Sequence, residues 1–324
     1  MKQKQSQTSS VASLRPQTLS EYIGQKSATD TLRIFLDAVK KRGSATEHIL
    51  LYGPPGIGKT TLAHIIANEL GGEIKITSGA AVQKGGDLAA ILTNLKDNDI
   101  LFIDEIHRLP KPVEEMLYPV IEDYSLDIII GKGPSARTVR LPVPKITIVG
   151  ATTKLALLSA PLRDRFGLLM RLDYYTIKDM IIIIKRAAKL LGIDLTDELA
   201  ALVANRSRKT PRIANRILKR IRDSAQVGNH TLMHTELLES VFALLGIDAQ
   251  GLTDIDRAYL TTLGEKFQNN PTGVETLAAA LSEDTRTVEE FIEPYLLQIG
   301  FLKKTTRGRI LTPKALHHIG ITLV

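Results

Sequence analysis

Residues 53–60, GPPGIGKT, combine three glycines with a lysine and a hydroxyl. Gly53, Gly56 and Gly58 let backbone N–H groups turn toward the β- and γ-phosphates of a nucleotide, Lys59 adds a cation, and Thr60 offers an oxygen to Mg²⁺. Further along, ILFIDE (residues 100–105) ends an apolar run in two adjacent acids. Alone, such acids read as turn residues. Beside a phosphate loop, Asp104 stands at the metal and Glu105 polarises the attacking water, which implies Mg·ATP binding and hydrolysis.

Two more segments fit that chemistry. KITIVGATT (residues 145–153) ends in hydroxyls suited to a γ-phosphate or a water. APLRDRFG carries Arg163 and Arg165 in a stretch too polar for a core. An arginine presented across a subunit boundary stabilises charge in phosphoryl transfer; a surface salt-bridge helix is the alternative reading.

These residues act together only if the chain delivers them to one place. HILLY (48–52) runs into the loop and 61–70 reads as a helix, the strand, loop, helix order that a phosphate cradle requires. The apolar runs 100–103 and 145–149 add two strands, so three strand ends of a parallel α/β sheet converge. Upstream, Ala28, Leu32, Phe35, Leu36 and Val39 give 25–42 helical spacing. Residues 127–141 place extended apolar runs around Gly131, Gly133 and Pro134, the pattern of a β-hairpin. Its isoleucines 128–130 are either a core excursion or a docking patch.

Past Tyr175 the pattern turns helical, over 177–191, 196–206, 211–227 and 235–245. Helical stretches at 255–267, 274–281 and 287–299 then precede FLKKTTRGRIL, the order of a winged helix-turn-helix. The organisation expected is a flexible polar leader (1–13), an α/β P-loop domain (14–175), a small all-α domain (176–250) and a winged helix (251–324).

The 324 residues leave room for two or three domains, and 44% hydrophobic with 24% charged residues suits an ordinary globular chain. No cysteine is present, which removes disulfides and zinc fingers and fits a reducing cytosol. The start has no apolar signal core, and the longest apolar runs, such as 180–184, are too short for a bilayer, so the expected location is cytoplasmic with no membrane partner. A net charge of +7 points to a polyanionic partner. From residue 252 onward eight Lys and Arg face nine acids, yet every acid lies at or before Glu293 while Lys303, Lys304, Arg307, Arg309 and Lys314 follow it. That wing is either a DNA contact or a solvated turn. His107, His317 and His318 lack a ligand set at suitable spacing, so solvent or capping roles are expected and no transition metal is assigned.

The ordered set LRPQTLSEYIGQ, GPPGIGKTTLA, LFIDEIHRL, IVGATTK, APLRDRFG and TPRIANR resembles the AAA+ ATPases. More narrowly, from Leu14 to the C-terminus and through EPYLLQIGFLKKTTRGRI, it resembles the RuvB family of Holliday-junction branch-migration motors. The resemblance implies an AAA+ parallel-sheet ATPase domain, a helical lid and a C-terminal winged helix. It implies that Leu14, Arg15, Tyr22 and Ile23 line the adenine pocket, and that Gly53, Gly56, Ile57, Gly58, Lys59, Thr60 and Thr61 hold phosphates and Mg²⁺. Asp104 and Glu105 become the Walker B pair, with Thr60 and Asp104 on the metal. Thr153 matches sensor 1, Arg165 the trans-acting finger ahead of Arg163, and Arg212 sensor 2. Glu122, Asp123, Tyr124 and Tyr175 match positions around the nucleotide.

The same resemblance implies a hexameric ring on duplex DNA and Holliday junctions, with hairpin 127–141 docking on a RuvA-type partner and a RuvC-type resolvase in the same recombination and repair pathway. Lys304 and Arg309 match DNA-contacting positions, with Arg307 in the same wing. Lys304 stands where Arg is usual, which keeps charge but loses bidentate phosphate geometry. Thr285 stands where a basic residue is expected, beside Arg286. The alternative is an ATP-switch loader or initiator acting on DNA, which shares the core but lacks this hairpin and tail. A nucleotide-independent DNA scaffold is opposed by the complete catalytic set.

Overall fold

The computed structural model describes residues 14–42, 47–130, 137–228 and 232–321. The leader 1–13 and the hairpin centre with Gly131, Gly133 and Pro134 lie outside them. By compactness the chain forms two units, one running to Leu191 and including Thr210–Ile213, the other made of Gly192–Lys209 and the chain from Ala214.

In the first unit the strands are β1 (Ile49–Tyr52), β2 (Ile74–Ser78), β3 (Ile100–Asp104), β4 (Ser125–Ile130), β5 (Arg137–Pro142), β6 (Thr147–Thr152) and β7 (Leu168–Arg171). Five make a parallel sheet in the order β2-β3-β6-β1-β7. Its middle strands β3, β6 and β1 are buried almost throughout, because helices cover a parallel sheet on both faces. They therefore read as apolar runs in the sequence. The edge strands β2 and β7, half exposed, did not.

The helices of this unit are α1 (Lys26–Arg42), α2 (Lys59–Leu70), α3 (Gly85–Leu92), α4 (Lys111–Asp123), α5 (Ala160–Asp164) and α6 (Ile177–Leu190). Buried Leu62, Ala63, Ile65 and Ile66 form the inner face of α2. Val113, Leu117, Val120 and Ile121 of α4 join Leu101, Ile103 and Ile148 of the sheet in one core. Strands β4 and β5 pair antiparallel as the expected hairpin, and directly opposed Asp127 and Arg140 form a bidentate ion pair of 2.8 and 2.9 Å.

In the second unit, helices α7 (Asp197–Arg206), α8 (from Ala214 of Pro211–Val227) and α9 (Thr235–Leu244) match the expected patterns closely. Helices α10 (Asp254–Thr261) and α11 (Val274–Leu281), a helical stretch over 285–298, and hairpin strands β8 (Leu302–Thr305) and β9 (Gly308–Leu311) form the winged helix. Thr272 pairs with Arg309 through a single isolated antiparallel bridge. Two single-turn π segments, Thr262–Lys266 and Val288–Ile292, and a last helix, Pro313–His318, were not anticipated. Among the described residues no helix is long and apolar enough to cross a membrane.

Candidate functional site

β1 ends at Tyr52 and the loop turns through left-handed backbone at Gly53 (φ 145°), Gly56 (φ 77°) and Gly58 (φ 109°). A Cβ at Gly53 would lie 2.1 Å from the Leu172 carbonyl oxygen, so only glycine fits. Gly58 caps α2 without a side-chain acceptor, which leaves the first-turn N–H groups for an anion. Lys59 opens α2 and is only 7% exposed. Its Nζ donates to the Gly53 and Pro54 carbonyls at 2.8 Å each, which holds the ammonium in the mouth of the loop. Burial lowers its pKa to about 8, against the opposing pull of Glu105 and Asp104, while Arg212 lowers it further.

β6 lies between β1 and β3, so its end meets both neighbours. Asp104 is the last residue of β3, and Glu105 follows in a left-handed conformation (φ 47°) that ordinary residues seldom adopt. The Glu105 N–H donates to Asp104 Oδ1 at 3.0 Å. Thr153 Oγ1 donates to Glu105 Oε2 at 3.1 Å, which joins the acid to the hydroxyl expected as sensor 1. His107, read from the sequence as solvent-facing or capping, belongs here instead. Its side chain is 8% exposed, with Nδ1 2.8 Å from Thr152 Oγ1 and 3.3 Å from Glu105 Oε2. Glu105 is two residues away, but Thr152 lies on β6, which sequence spacing could not reveal. The Thr60 hydroxyl and the Asp104 carboxylate are hard oxygen donors of the kind Mg²⁺ takes while keeping several waters. Among the described residues no group of three or more His, Cys, Asp or Glu could hold a metal ion.

On the far side of the loop, Tyr22 and Tyr175 are buried against each other, their hydroxyls 3.2 Å apart, and Tyr175 Oη lies 3.0 Å from the Ile57 carbonyl. Burial raises the pKa of both phenols. Leu14 is buried and its carbonyl accepts from Arg186 Nη1 at 3.2 Å, while Ile23 and Thr61 are half-buried. Arg15 is exposed; after burial, its charge is the second cause that lowers the pKa of His64, whose Nε2 is buried without a hydrogen-bond partner. The Arg212 N–H donates to the Gly56 carbonyl at 3.4 Å, and a Cβ on Gly56 would meet Arg212 Cβ at 3.0 Å. Loop, tyrosine pair and Arg212 thus form one surround.

Arg165 has its own set of partners. Its Cζ sits 4.3 Å from the centre of the Tyr118 ring, Nη1 donates to the Pro161 carbonyl at 2.9 Å, and Nε lies 3.1 Å from Glu122 Oε1 without a hydrogen bond from that nitrogen. Glu122 and Asp123 are exposed at the end of α4, which Tyr124 closes in a left-handed conformation (φ 50°). Arg163 lies 3.6 Å from Asp164.

In the winged helix, the charges segregated along the chain meet in space. Glu293 is 0% exposed and takes Lys304 Nζ at 2.6 Å and Arg309 Nε at 2.8 Å, with Tyr259 Oη 3.1 Å away. Arg309 Nη2 also reaches Glu289 at 2.9 Å. Burial pushes the Glu293 carboxyl up, but hydrogen bonds from Arg309 and Lys304 hold it below the usual range. Lys303 and Arg307 are exposed on the wing, Thr285 is half-buried, and Arg286 pairs with Glu290 at 2.8 Å. In the β4–β5 hairpin Ile128 packs against the core.

Three family models match in order: the Holliday junction DNA helicase RuvB P-loop domain over residues 14–172, the RuvB AAA lid domain over 175–248 and the RuvB C-terminal winged helix domain over 249–320. The chain is similar in structure to the RuvB Holliday junction branch migration motor of Thermotoga maritima, with 47% identity and a TM-score of 0.85 over 96% of this chain and 99% of that one. Two point variants of that protein, lysine to arginine and proline to glycine, match at 47% identity with TM-scores of 0.86, over 96% of this chain and 99% and 100% of theirs.

Proposed function

The chain belongs to the RuvB family, and from that premise we propose that it is an ATP-driven motor that moves the branch point of Holliday junctions in recombination and DNA repair. Its AAA+ P-loop core makes it an ATP hydrolase. The observation that carries this reading is the meeting of Lys59, the Asp104–Glu105 pair and Thr153 at the ends of β1, β3 and β6, with Thr153 hydrogen-bonded to Glu105.

In the working ring, which we take as a cytoplasmic hexamer, Lys59, Thr60 and Thr61 hold the phosphates, Tyr22, Tyr175, Leu14, Arg15 and Ile23 the base, and Arg212 reports on the loop. Thr60 and Asp104 would hold Mg²⁺, whose contribution when bound is to neutralise phosphate charge. Glu105, oriented by Thr153, accepts the proton of the attacking water. Arg165, in company with Glu122, Asp123 and Tyr124, serves the neighbouring subunit's nucleotide. The family-model ranges support a division into a P-loop domain to about 175, a lid to 250 and a winged helix beyond. That winged helix contacts duplex backbone, and the β4–β5 hairpin meets a RuvA-type partner, with a RuvC-type resolvase acting in the same pathway.

The test is dissociation of a synthetic four-way junction into duplexes by the chain, ATP, Mg²⁺ and a RuvA-type protein. Glu105→Gln should bind ATP and lose turnover by about 100-fold or more. Full junction dissociation by that variant, or ATP-dependent binding by the wild type without any movement of the branch point, would sink the motor reading, and the second outcome would favour a loader.

A further inference from the structure

Resting on the reading of Arg165 as the arginine given to a neighbour, we propose that Tyr118 is a positioning residue that aims Arg165, with Glu114 and Ser159 holding the Tyr118 ring in place. The guanidinium carbon lies 4.3 Å from the ring centre, a distance at which a cation and an aromatic face attract. The ring is fixed in turn. Its hydroxyl donates to Glu114 Oε1 at 2.9 Å and lies 3.3 Å from Ser159 Oγ. Glu114 is a buried carboxylate in the first turn of α4, tied by Lys111 Nζ at 2.8 Å and by the Ser159 hydroxyl.

Ser159 closes the arrangement. It is the N-cap of α5, its Oγ accepting from the Leu162 N–H at 3.3 Å, and α5 carries Arg163 and leads directly to Arg165. One carboxylate therefore fixes both the platform under the guanidinium and the start of the helix that delivers it. A buried acid with three donors is more than α4 needs in order to pack, since Val113, Leu117, Val120 and Ile121 already supply the apolar face. Arg165 itself is anchored at one nitrogen, Nη1 donating to the Pro161 carbonyl at 2.9 Å, while Nε lies buried 3.1 Å from Glu122 without a hydrogen bond, so the ring supplies much of what fixes the guanidinium plane.

The experiment compares Tyr118→Ala, which removes the platform, with Tyr118→Phe, which keeps the ring and drops the hydroxyl. Junction-stimulated ATPase of the full chain is measured for each alone and mixed with Lys59→Ala, whose own site is dead but whose Arg165 is intact. We expect Tyr118→Ala to lower kcat about tenfold, equivalent to about 1.4 kcal/mol, with KM within about twofold. Tyr118→Phe should stay within about threefold of wild type, a step between the two. Mixing Tyr118→Ala with Lys59→Ala should restore activity, because the neighbour then supplies a well-aimed arginine. A structural defect inside the Tyr118→Ala subunit would not be repaired by its neighbour. Unchanged kcat in Tyr118→Ala, or loss that mixing leaves in place, overturns the proposal. Arg165→Ala mixed with Lys59→Ala is the control: if that pair stays dead, the trans reading of Arg165 fails and takes this inference with it.

Discussion

Lowering the pH should loosen the sheet through one side chain, His48, just ahead of β1. It is buried, its Nδ1 accepts the Ile148 N–H at 2.9 Å, and its Nε2 lies 3.1 Å from the Ile121 carbonyl at the end of α4. Only the neutral ring with its proton on Nε2 satisfies both, and protonation of Nδ1 breaks the bond to β6. Burial lowers the pKa to about 4 from the ordinary 6.5, with the Ile121 bond opposing. The unfolded chain therefore binds more protons than the folded one between about pH 6.5 and 4, so stability is whole above that window and lost as pH falls through it. Between pH 7.5 and 4.5 the loss comes to about 2.5 kcal/mol, roughly a 75-fold change in the opening equilibrium. Amide exchange by mass spectrometry reads this directly on peptides from β1 and β6, after correction for intrinsic rates. His48→Asn keeps an acceptor for Ile148 and cannot titrate. It should cost about 1 to 3 kcal/mol at pH 7.5 through the unpaired Ile121 carbonyl, then show a flatter pH dependence than wild type. Equal pH dependence in both proteins would refute the assignment.

Gly53→Ala should reduce nucleotide affinity at least tenfold and cost on the order of 2 kcal/mol in stability, since a φ of 145° and a Cβ 2.1 Å from a backbone oxygen force the loop to move. Titration with a fluorescent ATP analogue and a thermal melt check it, and near-normal affinity would contradict it. The double change Lys303→Ala with Arg307→Ala should flatten the salt dependence of duplex binding by about 1.8 in the log–log slope, near 0.9 for each phosphate no longer neutralised; anisotropy across a salt series measures it. Glu293→Gln should destabilise the winged helix by about 3 kcal/mol, because a buried charged network loses its anion. A melt of that variant matching wild type would show the network to be unimportant.

Most of the candidate site was legible because its parts are local. A glycine loop between strand and helix, and acids after a buried strand, each carry their geometry in a few consecutive residues. What escaped depends on neighbours distant in sequence. The apolar run stops at 149 while β6 continues to Thr152, since Gly-Ala-Thr carries no apolar bulk to extend the run. The packing demands smallness there, and a Cβ on Gly150 would come within 3.1 Å of Leu50, Ile106 and Phe166 side chains. α4 contains Pro112 and Pro119, which break a helical reading, yet Pro112 falls in the first turn where its missing N–H costs nothing. His107 entered the site through Thr152, and Glu114 and Tyr118 through Ser159 and Arg165.

The wing shows the same limit in its charges, with a consequence for the proposed DNA contact. From residue 252 onward every acid lies at or before Glu293 and five of the eight cations follow it, yet the helical stretch 285–298 lays the Glu293 carboxylate beneath the hairpin. Lys304 and Arg309 are thereby already neutralised inside the domain, and a phosphate reaching them competes with a fully buried acid at 2.6 to 2.8 Å. Lys303 and Arg307, exposed on the same hairpin, are the cations that the proposed duplex contact would reach first. A grip built on exposed cations is weak at each phosphate and sensitive to salt. That suits the proposed motor, which would release the duplex on every cycle, better than a loader that would stay bound to it.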